Sequence, residues 1–204
     1  MHIAIAGNIG SGKTTLTKLL ANHYGWEANY ENVESNPYLN NFYEDMQRWS
    51  FNLQVYFLNT RFRQIVEIKK EEKTVIQDRT IYEDAYIFAP NLHEMGLMST
   101  RDFDNYFSLF ELISKLIEPP ELIIYLQASV PALVNQIQNR GREYENSIRI
   151  DYLKKLNERY EEWIDKYKLG KKLIINIDEN KFTQKPADLG KVIQKIDAEI
   201  HGLF

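Results

Sequence analysis

The hydrophobic pattern alternates between short apolar runs and longer segments with helical periodicity. A short apolar run bounded by turn residues is typical of a buried strand, whereas apolar residues three or four positions apart predict a helix. The alternation predicts an α/β fold with a parallel sheet covered by helices on both faces. The five predicted strands cover residues 3–6, 27–30, 74–76, 122–126 and 173–177. Further helices are predicted at residues 131–140, 149–168 and 186–201.

Two other predicted helices, residues 48–70 and 101–118, carry more apolar residues than one core-facing side requires. Ser99 resembles an N-cap of the second helix, which Pro119 and Pro120 would end. This second helix is either wholly internal or part of a subunit interface. The excess apolar surface of both helices predicts a homodimer formed through them.

A glycine-rich loop follows the first predicted strand and precedes a predicted helix. It has the pattern Gly, four residues, Gly-Lys-Thr, which is typical of a phosphate-binding P-loop. Glycines let phosphate approach backbone N–H groups near a helix N-terminus. Lys13 would reach the β- and γ-phosphates, and the Thr14 hydroxyl would bind Mg²⁺. The alternative is a glycine-rich turn with an exposed lysine. The predicted phosphate-binding residues are Gly7, Asn8, Ile9, Gly10, Ser11, Gly12, Lys13, Thr14 and Thr15.

Charged residues follow the second and third predicted strands, at the sheet edge where open α/β sheets bind ligands. Glu31 is a candidate acid–base residue, with a solvated loop acid as the alternative. Asp78 fits the acid that holds Mg²⁺ in P-loop proteins, and Arg79 beside it would bind phosphate or orient a carboxylate. Alternatively, this Asp-Arg pair caps the next helix.

Two further polar groups suggest binding of a nucleobase and of phosphates. Gln54 and Arg61 are seven residues apart on the first apolar-rich helix, so they share a face. Polar groups among aromatic residues suit a nucleobase, although an ordinary helix surface is the alternative. Arg140 and Arg142 lie in a charged segment, residues 140–148, that predicts a lid closing on phosphates. A solvated charged loop is the alternative there.

The composition narrows the possible functions. The 204 residues include 25 Lys and Arg against 29 Asp and Glu, a net charge of −4, which argues against nucleic acid and membrane surfaces as partners. The absence of cysteine excludes disulfides and thiolate metal sites. No signal peptide or apolar run of transmembrane length is evident. We therefore expect a cytoplasmic protein with a single domain, residues 1–204.

Five motifs occur in order along the chain, at residues 7–15, 31–33, 48–61, 78–84 and 140–145. Together they resemble the deoxynucleoside kinase family, most closely its bacterial deoxyadenosine/deoxyguanosine kinases, from residue 1 to about residue 170. The resemblance implies a P-loop kinase fold with an arginine-rich lid, and a homodimer. It implies transfer of phosphate from ATP to the 5′-hydroxyl of deoxynucleosides, purine ones by preference, in nucleotide salvage. Mg²⁺ would be held by Thr14 and Asp78.

The resemblance also implies roles for individual residues around the reacting groups. Glu31 would deprotonate the 5′-hydroxyl, Arg79 would hold Glu31 and the reacting oxygen, and Lys13 would stabilise the transferring phosphate. Tyr43 and Glu145 would bind the 3′-hydroxyl of the sugar.

Further roles implied by the resemblance concern the nucleobase and the phosphates. Gln54 and Asp84 would recognise the edge of the base, with Arg61 beside Asp84. Arg140 and Arg142 would clamp the phosphates from the lid.

Two alternative functions remain open. A nucleoside monophosphate kinase such as thymidylate kinase shares the loop, the Asp-Arg pair and the arginine lid, but it would need extra basic residues for the acceptor phosphate. The acidic Glu31 site suits a neutral hydroxyl better. A non-catalytic nucleotide sensor would bind nucleotide without turnover. A GTPase would need the pattern Asn-Lys-x-Asp to recognise guanine, and residues 180–183 match the Asn and the Lys of this pattern but lack the Asp.

Overall fold

The computed structural model describes residues 1–31, 33, 35–142, 145 and 148–202. Its centre is a five-stranded sheet made of β1 (His2–Gly7), β2 (Glu27–Asn29), β3 (Val75–Asp78), β4 (Leu122–Gln127) and β5 (Lys171–Asn176). The strand order is β2-β3-β1-β4-β5, and all neighbouring strands are parallel. The predicted five-stranded parallel sheet is therefore confirmed.

Helices cover both faces of this sheet, as the alternating pattern predicts. In chain order they are α1 (Lys13–Tyr24), α2 (Leu39–Glu44), α3 (Met46–Ile68), α4 (Ile81–Glu83), α5 (Ala89–Glu94), α6 (Thr100–Ser114), α7 (Val130–Arg140), α8 (Ile150–Lys166) and α9 (Pro186–His201). A π-helical segment, Asp84–Phe88, joins α4 to α5. Within the described ranges, none of the helices has both the length and the apolar character needed to cross a membrane.

The central strand β1 shows why the fold has two helical layers. Its side chains alternate, because successive strand residues point to opposite faces of a sheet. Ile3 and Ile5 pack in a core cluster with residues of α1, α7 and α9. Ala4 and Ala6 pack in a second cluster with residues of α2, α3 and α5. An uninterrupted apolar strand therefore requires cover on both sides, which the helices provide.

Local capping and a turn set the boundaries of the two apolar-rich helices. Helix α3 begins two residues earlier than predicted, because the Asp45 carboxylate accepts a hydrogen bond of 3.0 Å from the Arg48 N–H. Helix α6 does begin after Ser99, whose hydroxyl accepts from the Asp102 N–H at 3.1 Å. It ends at Ser114 rather than at residue 118, where a turn replaces the last predicted helical residues.

Three short helices and the π-helical segment were not expected from the periodicity. Helices α2 and α5 have only six residues each, and α4 only three, so none of them repeats an apolar pattern often enough to be recognised. Helix α4 begins with a capping box, in which the side chains of Thr80 and Glu83 bond to each other's backbone N–H groups. Helix α2 and Asp84, the residue that follows α4, border the cavity described below.

One of the two interpretations of the second apolar-rich helix is wrong, because α6 is not wholly internal. Only Tyr106 and Phe110 of α6 are buried. One side of α6 packs against α3, whereas Leu109, Leu112 and Leu116 on and just after it are 42%, 59% and 69% exposed. The apolar side chains beyond the α3 contact therefore face solvent in the single chain.

Candidate active site

The predicted phosphate loop joins β1 to α1 in a tight curve. Gly7, Gly10 and Gly12 have φ values of 154°, 85° and 90°, which residues with a Cβ rarely adopt. Space also requires glycine, because a Cβ on Gly10 would lie 2.8 Å from Cγ1 of Ile137. The loop leads directly into the first turn of α1, so its N–H groups and the helix N-terminus together suit an anion.

Asn8 anchors the loop to α8 through its side chain. Its Nδ2 donates to the carbonyl of Leu153 and to Oδ1 of Asn157, both at 3.1 Å. Only its backbone is therefore available to phosphate. The Nζ of Lys13 donates to the carbonyl of Asn8 at 2.9 Å. Burial and the nearby Arg79 lower the pKa of Lys13 to about 7.

Thr14 and Asp78 meet where β3 lies beside β1. The Thr14 hydroxyl donates to Oδ2 of Asp78 at 2.5 Å. The other oxygen of Asp78, Oδ1, is buried and has no hydrogen-bond partner in the part of the chain that the structure describes, and burial raises the pKa of this carboxyl. An unpartnered carboxylate oxygen beside a hydroxyl forms a donor set that suits Mg²⁺.

The alternative in which the Asp78-Arg79 pair caps the next helix is wrong, because Thr80 and Glu83 cap that helix.

Arg79 has a strained backbone and a buried side chain. Its φ is 72°, an uncommon value for a residue other than glycine. Its Nη1 donates to the Tyr160 hydroxyl at 2.8 Å, its Nε lies 3.4 Å from Oε1 of Glu31, and its Cζ lies 4.6 Å from the ring centre of Phe88. Burial lowers the pKa of Arg79, but Tyr160 and Glu31 outweigh it and raise the pKa well above its usual value. Arg79 therefore carries a fixed positive charge beside Glu31.

Arg61 bridges two carboxylates that follow different strands. Its Nη2 donates to Oε1 of Glu31 at 2.6 Å. Its Nε lies 2.8 Å from Oδ2 of Asp84, so the two groups form an ion pair, although the angles between them are not those of a hydrogen bond. Burial raises the pKa of Glu31, but Arg79 and Arg61 outweigh it and lower the pKa to about 2. For Asp84, burial prevails over the same arginines and raises the pKa to about 7. Glu31, with a side chain only 17% exposed, is not a solvated loop acid.

Gln54 and Arg61 lie in the interior and do not form an ordinary helix surface, since they are 2% and 3% exposed. Oε1 of Gln54 and the hydroxyl of Tyr106 are buried, and neither has a hydrogen-bond partner among the residues that the structure describes. Burial and the nearby Asp84 raise the pKa of Tyr106 well above its usual value. A buried unpaired acceptor is costly, so a ligand that donates to Gln54 would bind favourably.

The two arginines predicted for the lid contact Glu145, one of the two residues predicted to bind the sugar. Arg140 donates through Nε to Oε2 of Glu145 at 3.0 Å and through Nη2 to Oε1, and Nη1 of Arg142 lies 3.5 Å from the same Oε1. Residues 143, 144, 146 and 147 of the predicted lid lie outside the described residues, as does Asn32 of the 31–33 turn. Closure of a lid stays a prediction.

A cavity of about 510 Å³ connects these groups. Most predicted site residues border it, namely Ile9, Gly10, Gly12, Lys13, Thr14, Thr15, Glu31, Tyr43, Gln54, Arg79, Asp84, Arg140, Arg142 and Glu145. The other predicted residues, which lie behind this lining, are Gly7, Asn8, Ser11, Arg61 and Asp78. Lining residues that were not predicted are Val33, Leu39, Phe42, Leu53, Phe57, Phe88, Gln136, Asn139, Tyr152 and Thr183.

Two buried residues beneath the cavity were also missed. Glu83 bonds to Gly7, Thr80 and Tyr160, and Tyr160 bonds to Arg79. The spacing of Thr80 and Glu83 matches a capping box and could have indicated a helix start, although not a contact with the loop. Tyr160 lies within an ordinary amphipathic helix, and its contact with Arg79 depends on how α8 packs.

Comparison with known proteins places the chain among relatives of similar length. Residues 3–201 match the model of the deoxynucleoside kinase family. The deoxyadenosine/deoxycytidine kinase of Bacillus subtilis is 37% identical, in an alignment covering 98% of this chain and 93% of that protein. The deoxyguanosine kinase of Lactobacillus acidophilus is 36% identical, with 95% of this chain and 88% of that protein covered.

A solved structure agrees with the sequence relatives. The deoxyadenosine kinase of M. mycoides with bound dATP superposes with a TM-score of 0.85 at 28% identity, covering 97% of this chain and 99% of the other. The same kinase with the products dCMP and a flexible dCDP bound gives a TM-score of 0.87, with 97% of this chain and 100% of the other covered. On the family match and these relatives, the chain belongs to the deoxynucleoside kinase family.

Proposed function

We propose that this protein transfers the γ-phosphoryl group of ATP to the 5′-hydroxyl of deoxynucleosides, purine ones by preference, in nucleotide salvage. The observation that carries the proposal is a single cavity lined both by the phosphate loop and by the Glu31, Arg79 and Gln54 side chains. Such a cavity can hold a triphosphate donor and a nucleoside acceptor together. Holding both reactants in one site supplies much of the catalysis in phosphoryl transfer.

The loop half of the cavity would hold the donor. Backbone N–H groups of the loop would bind the phosphates, apart from those of Gly7 and Ile9, which already donate to Glu83 and to the Asn8 side chain. Lys13 would exchange its bond with the Asn8 carbonyl for one with a phosphate oxygen. Thr14 and Asp78 would hold Mg²⁺, since their hydroxyl and unpartnered carboxylate oxygen lie side by side. When bound, Mg²⁺ supplies positive charge that neutralises the phosphates.

Glu31 would orient the 5′-hydroxyl and accept its proton as the new O–P bond forms. The two arginines lower its pKa to about 2, so Glu31 is a weak base in the empty site. A weak base takes the proton late, when the attacking oxygen already bonds to phosphorus and has become acidic. Arg79 would then stabilise the charge that spreads over the transferring group. Tyr43 and Glu145 would hold the 3′-hydroxyl.

A purine base would lie against Gln54 and Asp84. The amide of glutamine can pair with two neighbouring groups of adenine, a donor and an acceptor, and Oε1 of Gln54 has no competing partner among the described residues. Phe57 and Phe88 border the same cavity and offer flat apolar surfaces for stacking. The names of the relatives differ in their nucleoside, so the assay should compare all of them.

The decisive experiment measures ADP formation by the purified protein with ATP, Mg²⁺ and each of the four deoxynucleosides. Turnover with deoxyadenosine or deoxyguanosine at the highest kcat/KM is the expected result. Absence of turnover with all four would refute the proposal and favour a nucleotide sensor. Deoxynucleoside monophosphates are included as acceptors, because turnover with these alone would indicate a monophosphate kinase. Arg61 and Arg79 argue against that outcome, since both are already paired with carboxylates.

We also propose a homodimer formed through α3 and α6. The exposed Leu109, Leu112 and Leu116 support it, since contiguous apolar surface on a small protein commonly marks an interface. The family resemblance points to the same assembly. Sedimentation at micromolar concentration should give twice the mass of the chain; a monomer would contradict the proposal.

The domain organisation and the location in the cell complete the proposal. Residues 1–204 would fold as a single domain, because the core clusters on both faces share one sheet; a single calorimetric unfolding transition is expected, and two would contradict it. The protein would act in the cytoplasm, where ATP is supplied, and cell fractionation tests this.

A further inference from the structure

Glu83 is a fully buried carboxylate to which none of the proposed steps assigns a role. Its exposure is 0%, and its side chain lies behind the cavity, not on its lining. It belongs to α4, one helical turn after the strained Arg79. A buried carboxylate needs partners for both oxygens, and those partners come from three separate parts of the fold.

The two oxygens of Glu83 serve different purposes. Oε2 accepts hydrogen bonds from the backbone N–H of Thr80 at 2.7 Å and from its hydroxyl at 3.3 Å, which caps the short helix. Oε1 accepts from the N–H of Gly7 at 3.2 Å and from the hydroxyl of Tyr160 at 2.8 Å. Oε2 therefore bonds only within its own helix start, whereas Oε1 joins the phosphate loop to α8.

Tyr160 extends the connection to Arg79. Its hydroxyl accepts from Nη1 of Arg79 at 2.8 Å while donating to Oε1 of Glu83. Nη1 of Arg79 also lies 3.7 Å from that same Oε1, and its Nε faces Glu31 at 3.4 Å. A continuous path of hydrogen bonds therefore runs from Gly7, where the donor loop begins, to the arginine that contacts the proposed base.

We propose that Glu83 is a positioning residue that holds the start of the phosphate loop and the guanidinium of Arg79 in one fixed arrangement through Tyr160. The inference rests on the proposed function, in which the loop binds the donor and Arg79 serves the acceptor. Phosphoryl transfer requires the two substrates to meet in line. Every partner of Glu83 is a donor, so changing the acceptor leaves several buried groups unpaired.

Tyr160→Phe tests the path with little change in packing. The ring would keep its contacts, including stacking on Tyr125 at 5.8 Å, while the bond to Arg79 is lost. We expect kcat to fall about tenfold or more, because small misplacements of reacting groups are costly, with each KM within about threefold. A kcat effect without a KM effect indicates lost positioning in the transition state.

Tyr125→Phe is the matched control. It also removes a buried tyrosine hydroxyl, but this hydroxyl donates to Glu161 at 2.9 Å and takes no part in the path. Its kcat should equal that of the wild type. Glu83→Gln should lower kcat like Tyr160→Phe, and the double variant should lose little more than either single variant, since both break one path. Equal losses in Tyr125→Phe, or simple additivity in the double variant, would overturn the inference.

A second measurement does not depend on turnover. The ¹⁵N-resolved guanidinium protons of Arg79 should exchange slowly with water in the wild type and in Tyr125→Phe, and quickly in Tyr160→Phe and Glu83→Gln. Equal exchange rates in all four proteins would overturn the inference. If the wild type phosphorylates no deoxynucleoside, the proposed function fails, while the exchange rates still decide whether Glu83 and Tyr160 hold Arg79.

Discussion

Arg61 donates a 2.6 Å hydrogen bond to Glu31 although thirty residues separate them in the chain. The same guanidinium lies 2.8 Å from Asp84. It therefore joins the carboxylate proposed as the base for the 5′-hydroxyl to the one proposed to recognise the nucleobase. Arg61 itself does not border the cavity, so it acts on both carboxylates from behind.

Glu31→Gln should reduce kcat by at least about 10²-fold, because the amide cannot accept the proton of the 5′-hydroxyl. Binding of the deoxynucleoside, measured by calorimetry, should stay close to that of the wild type, because the amide oxygen can still accept a hydrogen bond. Glu27→Gln, an exposed change on β2, is the control with unchanged turnover. Near-normal turnover of Glu31→Gln would remove Glu31 from the role of base.

The ionisation of Glu31 should also affect how the stability of the fold depends on pH. The pKa of Glu31 falls from 4.5 to about 2 on folding, so its contribution to stability is fully present above about pH 4.5 and is lost as the pH falls towards 2. The contribution is roughly 3 kcal/mol, at 1.36 kcal/mol for each pKa unit. Urea titrations between pH 5 and 2 should show a shallower loss of stability for Glu31→Gln than for the wild type; identical slopes would contradict the prediction.

Nucleotide binding should take up a proton through Lys13. Its pKa is about 7 in the empty site, so most of this lysine is neutral at pH 8. Phosphate favours the charged form and raises the pKa, and binding of ATP at pH 8 should therefore take up close to one proton. Calorimetry in buffers with different ionisation enthalpies measures this number. Lys13→Arg should abolish the uptake, because arginine stays charged; buffer-independent enthalpies for the wild type would refute the prediction.

Gln54→Leu should lower kcat/KM for purine deoxynucleosides by at least about tenfold, because the base loses its hydrogen bonds while the volume of the side chain is kept. The loss should be smaller for an acceptor that has no amino group on its base. Gln47→Leu, an exposed change on the same helix, should leave kcat/KM unchanged. Equal losses for all bases would mean that Gln54 supports the structure of the pocket and does not recognise the base.

Charged residues introduced on the exposed side of α6 and just after it should dissociate the proposed dimer. The double change Leu112→Glu and Leu116→Glu places two carboxylates where the side chains are 59% and 69% exposed in the single chain. We expect a monomer of unchanged helical content in sedimentation experiments. Leu169→Glu, at a leucine 49% exposed away from α6, should leave the mass unchanged. A dimer that persists in the double variant would contradict an interface on α6.

Local pattern predicts those elements whose signals repeat or are chemically specific. The loop from Gly7 to Thr15 and the five strands were recognisable because glycine spacing and apolar runs are properties of adjacent residues. The N-cap at Ser99 was recognisable for the same reason. Helices α2, α4 and α5 were not, since three to six residues carry no periodicity.

The sequence by itself determined the α/β fold, the phosphate loop and most residues that border the cavity. Only the tertiary structure decided how their charges pair: Arg61 between Glu31 and Asp84, the lid arginines on Glu145, and Glu83 between Gly7 and Tyr160. It also decided that α6 exposes leucines to solvent. The physical reason is that ion pairs and buried hydrogen bonds join residues up to 145 positions apart, and distances between such residues depend on packing rather than on local sequence.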